Sequence, residues 1–213
     1  MLVSPIEGHR LWAPTYDSGP NPLLALEERL LQPIRASTVI DVGCGTGRWT
    51  SRLGGYGVDL CEEMLREGWR KPGISGRLLQ GDAAGLPFAS DVSDLTLCSF
   101  AIGYVEDVAR AVCEMARITR PGGMVVISDL HPSAIAAGWT RSFRAGDSVY
   151  EMQHRPSAIE EALSAAQACG LGLMHQVDAH FGEPERHIFE AAGKMLEDVA
   201  AIPAIWLGMW TRL

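Results

Sequence analysis

The chain has 213 residues, 47% hydrophobic and 21% charged, enough for one domain with a buried core and without a low-complexity tract. Eighteen Lys and Arg against 26 Asp and Glu leave a net charge of −8, a field that repels polyanions and argues against a nucleic-acid partner. No run approaches the roughly 18 uninterrupted apolar residues that a membrane span needs.

Residues 1–22 are rich in Pro and Gly and carry Trp12 and Tyr16, large rings that need something to lie against in a stretch expected to be poor in regular structure. They also lack the basic-then-apolar order of an export signal. A helix is expected over Asn21–Leu31, started by Pro22 and stopped by Pro33. Thr38–Val42 is a β-branched run ending beside an acid, the pattern of a buried parallel strand. The turn Gly43–Gly47 follows, and Arg48–Leu53 can supply only a short helix before Gly54-Gly55. Tyr56–Leu60 reads as a second strand, Glu62–Trp69 as a helix, Leu78–Gln80 as a third strand and Asp94–Ser99 as a fourth. Val105–Ile118 has helical period, Pro121-Gly122-Gly123 ends it, and Met124–Asp129 is a fifth strand. This cadence predicts a parallel sheet covered on both faces by helices.

After Asp129 the pattern loosens into a helix at Ser157–Cys169, a strand at Leu171–Val177, a helix at Arg186–Ala200 and a strand at Ala204–Thr211. Without a repeat or linker, residues 1–213 are expected to form one domain, with 1–32 and 131–157 as lid and acceptor-pocket segments. The cysteines, Cys44, Cys61, Cys98, Cys113 and Cys169, are odd in number and include no CxxC pair. Four of them sit inside apolar stretches and read as small hydrophobes, and the odd count without a secretory signal reads as a reducing, cytoplasmic setting.

The sharpest signal is Val39-Ile-Asp-Val-Gly-Cys-Gly-Thr-Gly47. Glycines between a strand and a helix let backbone approach a ligand, and the helix start offers unpaired N–H groups. A dinucleotide fingerprint would place the third glycine one residue later, and no Gly-Lys-Ser/Thr follows, which excludes a P-loop. Asp59, at the end of the second strand, can accept two hydrogen bonds from a ribose diol, and so indicates an adenosine ligand. Asp82, in Gly-Asp-Ala-Ala-Gly-Leu-Pro-Phe, is placed to meet the adenine amino group, or else to cap its own loop, with Leu60 and Ala83 sandwiching the ring.

Five blocks in order, VIDVGCGTGRW, GVDLCEEML, GDAAGLPF, DLTLCSFAIGYVED and RITRPGGMVVISD, span residues 38–129, roughly 43% of the chain. In these blocks the chain resembles the class I S-adenosylmethionine (SAM)-dependent methyltransferases, in particular the ubiquinone/menaquinone-biosynthesis-like group that acts on small molecules. The resemblance implies a Rossmann-like α/β three-layer sandwich with a seven-stranded, mostly parallel sheet whose last strand is antiparallel. It implies SAM as methyl donor and S-adenosylhomocysteine (SAH) as product. Asp41 and the backbone of Gly43, Cys44, Gly45 and Gly47 would hold the methionine part, Asp59 the ribose, and Asp82 and Ala83 the adenine edge. Ser99 and Phe100 would lie beside the methionine portion and the methyl group. The chain departs from the group in two places. Only 18 positions separate Asp41 from Asp59, which shortens the intervening helix, and Gly103-Tyr104 stands where a histidine is often found.

Methyl transfer is an in-line displacement that needs alignment, and needs a base only when the acceptor starts protonated. His131, His154 and Tyr16 are the candidate catalytic residues, with Trp12 and Tyr104 as alternative pocket residues. Trp12, Tyr16, Trp139, Phe143, Tyr150, Met152 and Phe181 would line an acceptor pocket whose polar points are His131, His154 and Arg155. The expected acceptor is a small, largely apolar or aromatic molecule methylated on oxygen, nitrogen or activated carbon. The run His180, Glu183, Glu185, His187 lacks regular ligand spacing, so no metal is expected. A monomer or homodimer is expected. The alternative readings are a non-catalytic SAM-binding regulatory protein, a nucleic-acid methyltransferase and, more remotely, a nicotinamide-dependent oxidoreductase.

Overall fold

The computed structural model describes residues 1–32 and 34–213, so the helix stop expected at Pro33 lies outside the described residues. The N-terminal stretch is more ordered than its composition suggests. It forms strand β1 (Leu2–Val3) and helix α1 (Pro5–Trp12), whose N-terminus is capped by the Ser4 hydroxyl and opened by Pro5. Helix α2 (Pro22–Leu31) follows, with Asn21 Oδ1 accepting from the Leu23 and Leu24 amides.

The alternating core then runs β2 (Val39–Val42), α3 (Arg48–Leu53), β3 (Tyr56–Asp59), α4 (Glu62–Trp69), β4 (Leu78–Gln80), β5 (Ser93–Ser99), α5 (Val108–Ile118) and β6 (Thr119–Leu130). Beyond it come α6 (Pro132–Ala136), β7 (Ser142–Ala145), β8 (Ser148–Met152), α7 (Ala158–Ala168), β9 (Leu171–Ala179), α8 (Arg186–Ala191) and β10 (Ile205–Arg212). Seven strands form one sheet in the order β4-β3-β2-β5-β6-β10-β9. Neighbours from β4 to β6 are parallel, and β10 runs antiparallel to both β6 and β9. This is the mostly parallel sheet, last strand reversed, that the resemblance implied.

The period-2 pleat sends alternate residues to opposite faces. Ile40, Val42, Cys98, Val125 and Ile127 pack with α5 and α7, while Val39, Leu95, Leu97 and Val126 pack with Leu31 and Trp49 of α2 and α3. Burial on both faces explains why these strands read as continuous apolar runs rather than alternating ones.

Several boundaries differ from expectation for local reasons. α5 starts at Val108 rather than Val105 because Asp107 caps it, accepting from the Arg110 amide. β6 starts at Thr119, which pairs with Ser93. Met124 pairs next, with Leu95, so the Arg120–Gly123 stretch containing Pro121 bulges out of the ladder. The helix expected to run from 186 to 200 stops at Ala191, just ahead of Gly193 at φ +67°.

Cys113 of α5 and Cys169 after α7 are joined in a disulfide, their Cα atoms 5.3 Å apart, a pairing that reading cysteines in apolar stretches as small hydrophobes does not anticipate. Their separation of 56 residues hid a pairing that only the packing of α5 on α7 creates.

The loosely patterned segment after Asp129 contains a hairpin that sequence reasoning missed. β7 and β8 pair antiparallel, and β1 adds in parallel to β8, making a second sheet in the order β1-β8-β7. Gly8 lets α1 lie directly on Met152 of that sheet, where any side chain at position 8 would collide. Parts of residues 1–32 and 131–157 thus meet in a single cap. Among the described residues, no helix is long and apolar enough to cross a membrane.

Candidate active site

The floor of the site is the turn between β2 and α3. Gly43, Gly45 and Gly47 take φ values of +69°, +56° and +77°, a region that side chains rarely adopt. A methyl at Gly43 would also strike Ala101, and one at Gly47 would lie 2.7 Å from Ile74. Asp59 ties the turn to β3. Its Oδ2 accepts from the Gly45 amide at 2.7 Å and its Oδ1 from the Cys61 amide at 2.8 Å. Burial raises its pKa, while the Cys61 and Gly45 amides work against that rise. Each carboxylate oxygen keeps a further lone pair for a ligand.

Asp41 ends β2 beneath the turn. Its Oδ2 accepts from the Thr50 amide at 3.0 Å and the Thr50 hydroxyl at 2.9 Å, while Oδ1 is buried without a partner. Burial pushes its pKa up to about 7 against those hydrogen bonds. Asp82 Oδ1 accepts from the Ala84 amide at 2.9 Å, so it caps its own loop as well as bordering the site.

A buried polar knot supports the turn from α2. Glu27, fully buried, accepts hydrogen bonds from Arg48, from Trp49 Nε1 at 3.0 Å, from Ser99 at 2.8 Å and from Ser128. Ser99, expected beside the methionine portion, borders the cavity but directs its hydroxyl to Glu27. Sequence reasoning missed Glu27, which looks like an ordinary surface residue of an amphipathic helix. Arg48 keeps one nitrogen, Nη1, buried and unpartnered.

Above this floor lies a cavity of about 320 Å³. Asp41, Gly43, Cys44, Gly45, Asp59, Leu60, Asp82, Ala83, Ser99 and Phe100 border it; Gly47 does not, since it packs against Ile74 instead. Its roof is the cap, with Pro5, Ile6, His9 and Tyr16, closed on one side by Tyr104–Glu106. Among the three candidate catalytic residues, only Tyr16 reaches this cavity. Burial raises the Tyr16 pKa.

His131 lies elsewhere. Its Nδ1 accepts from the Ser133 amide at 3.0 Å, capping α6, and its Nε2 sits 3.2 Å from Asp178. His154 borders a neighbouring hollow of about 280 Å³ with Trp139, Arg141 and Met152. Its Nε2 is 3.1 Å from Asp129 Oδ1, and its Nδ1 has no partner. Asp129 also accepts from the Gly103 amide at 2.8 Å and the Leu130 amide at 2.7 Å. Burial acts to raise its pKa, but His154, Arg141 and the Gly103 amide hold it below the ordinary carboxylate range. Gly103, one of the departures from the family pattern, makes room for the His154 ring, which any side chain there would strike.

Two residues that sequence reasoning passed over stand at the junction. The His9 ring meets Tyr104 edge-on at 5.1 Å, and Tyr104 meets His154 edge-on at 5.4 Å. Burial lowers the His9 pKa, opposed by the charge of Asp59. Arg141 is buried with its guanidinium 4.9 Å from the centre of the Phe100 ring. The hidden helix α1 and hairpin explain both omissions, since each residue reaches the site only through those elements.

The other proposed pocket residues divide differently. Trp12 stacks on Phe143 at 5.0 Å and Phe143 on Tyr150 at 5.5 Å, forming the cap's own interior. Phe181 packs with Leu26, Phe100 and Phe189 in a core cluster, and Trp139 stacks on it at 5.9 Å. Arg155 is held by Glu161 and the carbonyls of Val105 and Glu106. In the acidic run, Glu185 binds Arg29 and Glu183 binds Arg186.

Residues 40–127 match the model of a methyltransferase domain family. The malonyl-[acyl-carrier protein] O-methyltransferase of Pectobacterium atrosepticum is 35% identical over 125 residues, covering 54% of this chain and 49% of that protein. The demethylmenaquinone methyltransferase of Lysinibacillus sphaericus is 35% identical over 118 residues, covering 51% and 50%. The chain thus spans about half the length of the curated relatives it matches. An S-adenosylmethionine-dependent methyltransferase from Mesorhizobium loti shares the fold with a TM-score of 0.67 at 21% identity, covering 90% of this chain and 98% of that one. Residues 40–127 thus match a methyltransferase domain family, the seven-stranded sheet around them has the fold of a SAM-dependent methyltransferase, and about half of the chain is similar in sequence to menaquinone and malonyl-acyl-carrier-protein methyltransferases.

Proposed function

We propose that the protein transfers a methyl group from SAM to a small, largely apolar acceptor. One observation carries this reading. The five buried side-chain polar atoms without a partner among the described residues, on Asp41, Arg48, Tyr104, Arg141 and His154, all border the cavity or the adjoining hollow. Buried polar groups are normally satisfied, so such a concentration marks a place where ligands supply the missing partners.

The residues present fit SAM. Asp41 Oδ1 and Arg48 Nη1 suit the ammonium and carboxylate of its methionine part, beside a glycine turn that leaves room for close approach. Asp59 suits the ribose hydroxyls, and Leu60 and Ala83 the adenine faces. When bound, SAM supplies an electrophilic methyl group on a sulfonium, activated without a metal. Tyr16, a neutral phenol at ordinary pH, orients the acceptor, and the cap excludes water. His9, held neutral by burial, takes the proton of an acceptor that begins protonated, with His154 as the alternative from the adjoining hollow. His131, with both ring nitrogens engaged, is assigned to the structure of α6. Oxygen, nitrogen and activated carbon acceptors all suit this arrangement.

Residues 1–32 and 131–157 are the lid and acceptor segments in this reading, on a monomer or homodimer without a nucleic-acid partner. A cytoplasmic location belongs to it too, and the Cys113–Cys169 disulfide argues the other way. Thiol trapping in fractionated cells decides between them. The function is tested with isotopically labelled SAM against a panel of acceptors, reading transfer by mass spectrometry. Labelling confined to tRNA or protein would refute it.

A further inference from the structure

Arg141 enters the cap immediately before β7 and is only 9% exposed. Its guanidinium lies 4.9 Å from the centre of the Phe100 ring and 5.9 Å from that of Tyr104, and its Nε has no hydrogen-bond partner. Among the described residues, no carboxylate forms an ion pair with it. The acid in its electrostatic reach, Asp129, already accepts from Gly103, Leu130 and His154. An arginine stays charged in any protein environment, and a buried charge without a counterion is costly. Tyr104 Oη is likewise buried and unpartnered, as is Nδ1 of His154, whose ring meets that of Tyr104 edge-on.

The position of Arg141 gives this want of partners a direction. Phe100 and Tyr104 border the main cavity, and Arg141 borders the neighbouring hollow with Ile135, Trp139, Glu151, Gln153 and His154. The guanidinium therefore stands between the Phe100 and Tyr104 rings of the main cavity and the neighbouring hollow. A guanidinium N–H and a phenol O–H are both donors, and together they match the two oxygens of a carboxylate.

We propose that Arg141 anchors a carboxylate carried by the methyl acceptor. This rests on the methyl-transfer reading and narrows the acceptor to small apolar or aromatic acids. The net charge of −8 makes general attraction of anions an unsuitable explanation for any acid preference.

Calorimetry tests it with benzoate, 3-phenylpropanoate and hexanoate against their primary amides, each titrated into the protein with and without saturating SAH. The expected result is at least one acid bound about tenfold more tightly than its amide. That preference disappears in Arg141→Met, which keeps an apolar stem, while SAH affinity is retained. Acids bound no more tightly than amides by the unaltered protein overturn the proposal. So does a folded Arg141→Met variant that keeps the preference. If the variant does not fold, the acid–amide comparison on the unaltered protein decides alone. An acid preference without any SAH binding would leave the anion anchor standing and remove the methyl-transfer reading instead.

Discussion

The two walls of the cavity are built on different principles. On the glycine-turn side, the wall rests on backbone and short acids. Three glycines at positive φ form the turn, the Gly45 and Cys61 amides pin Asp59, and Glu27 braces Arg48 and Ser99 from behind. On the cap side it rests on large side chains brought from distant segments, with His9, Tyr16 and Tyr104 bordering the cavity and Arg141 and His154 in contact with Tyr104 from the adjoining hollow. A wall made of backbone presents one fixed shape and suits a ligand that never changes. A wall made of side chains can be refitted without disturbing the sheet. On the methyl-transfer reading, a constant methyl donor and a variable acceptor call for that division.

The contrast breaks most severely at Glu27. Glu27→Ala leaves the partly buried Arg48 without its counterion and strands three further donors, at a cost of about 3 kcal/mol in stability. Chemical denaturation is expected to show that loss. A change below 1 kcal/mol would mean that the brace is ornamental. Asp59→Ala comes next, because it removes both the ribose acceptor and the pin on Gly45. SAM binding is expected to weaken by roughly 2–4 kcal/mol in calorimetry, and an unchanged affinity would remove Asp59 from the site.

The difference between the walls also explains what could be read from residue order. The glycine turn, Asp41, Asp59 and the parallel strands were legible because each is a local pattern, a glycine spacing or an apolar run ending in an acid. So was the shortness of α3, announced by Gly54-Gly55. Arg141 and His9 were not, because their roles depend on a hairpin and on helix α1, whose few residues carry weak periodicity. The Cys113–Cys169 pair was hidden for the same reason, arising only when α5 meets α7. Glu27 was hidden by a different cause. Its burial comes from tertiary contact with Arg48, Ser99 and Ser128, and nothing on α2 itself signals it.

A smaller effect sharpens the assignment of Asp41. With burial holding its pKa up to about 7, the free protein carries it protonated below that pH, and an ammonium group requires it ionised. SAM affinity is therefore expected to rise by up to about tenfold per pH unit on approach to 7, and to level off above it. Asp41→Asn is expected to flatten this slope. Stability of the free protein runs the opposite way. Its folded-state pKa lies above the ordinary value of 3.8, so this group's contribution is fully present below 3.8 and is lost as pH rises through about 7. Calorimetry across pH checks the first and thermal melts the second.

The smallest effect is expected at His131. His131→Ala removes the cap of α6, which costs about 0.5–2 kcal/mol, and leaves SAM affinity unchanged. A loss of turnover in a folded variant, without loss of SAM binding, would return His131 to the chemistry.

The central claim, that one cavity joins a fixed donor wall to an acceptor wall, is tested most directly by label transfer from methyl-labelled SAM to a panel of small apolar and aromatic acids. The account predicts that label appears on a small molecule, that Asp59→Ala suppresses transfer by raising the SAM requirement, and that Arg141→Met suppresses it with SAM binding intact. Saturable SAM binding with no label on any small molecule, and label instead on tRNA or protein, would contradict it.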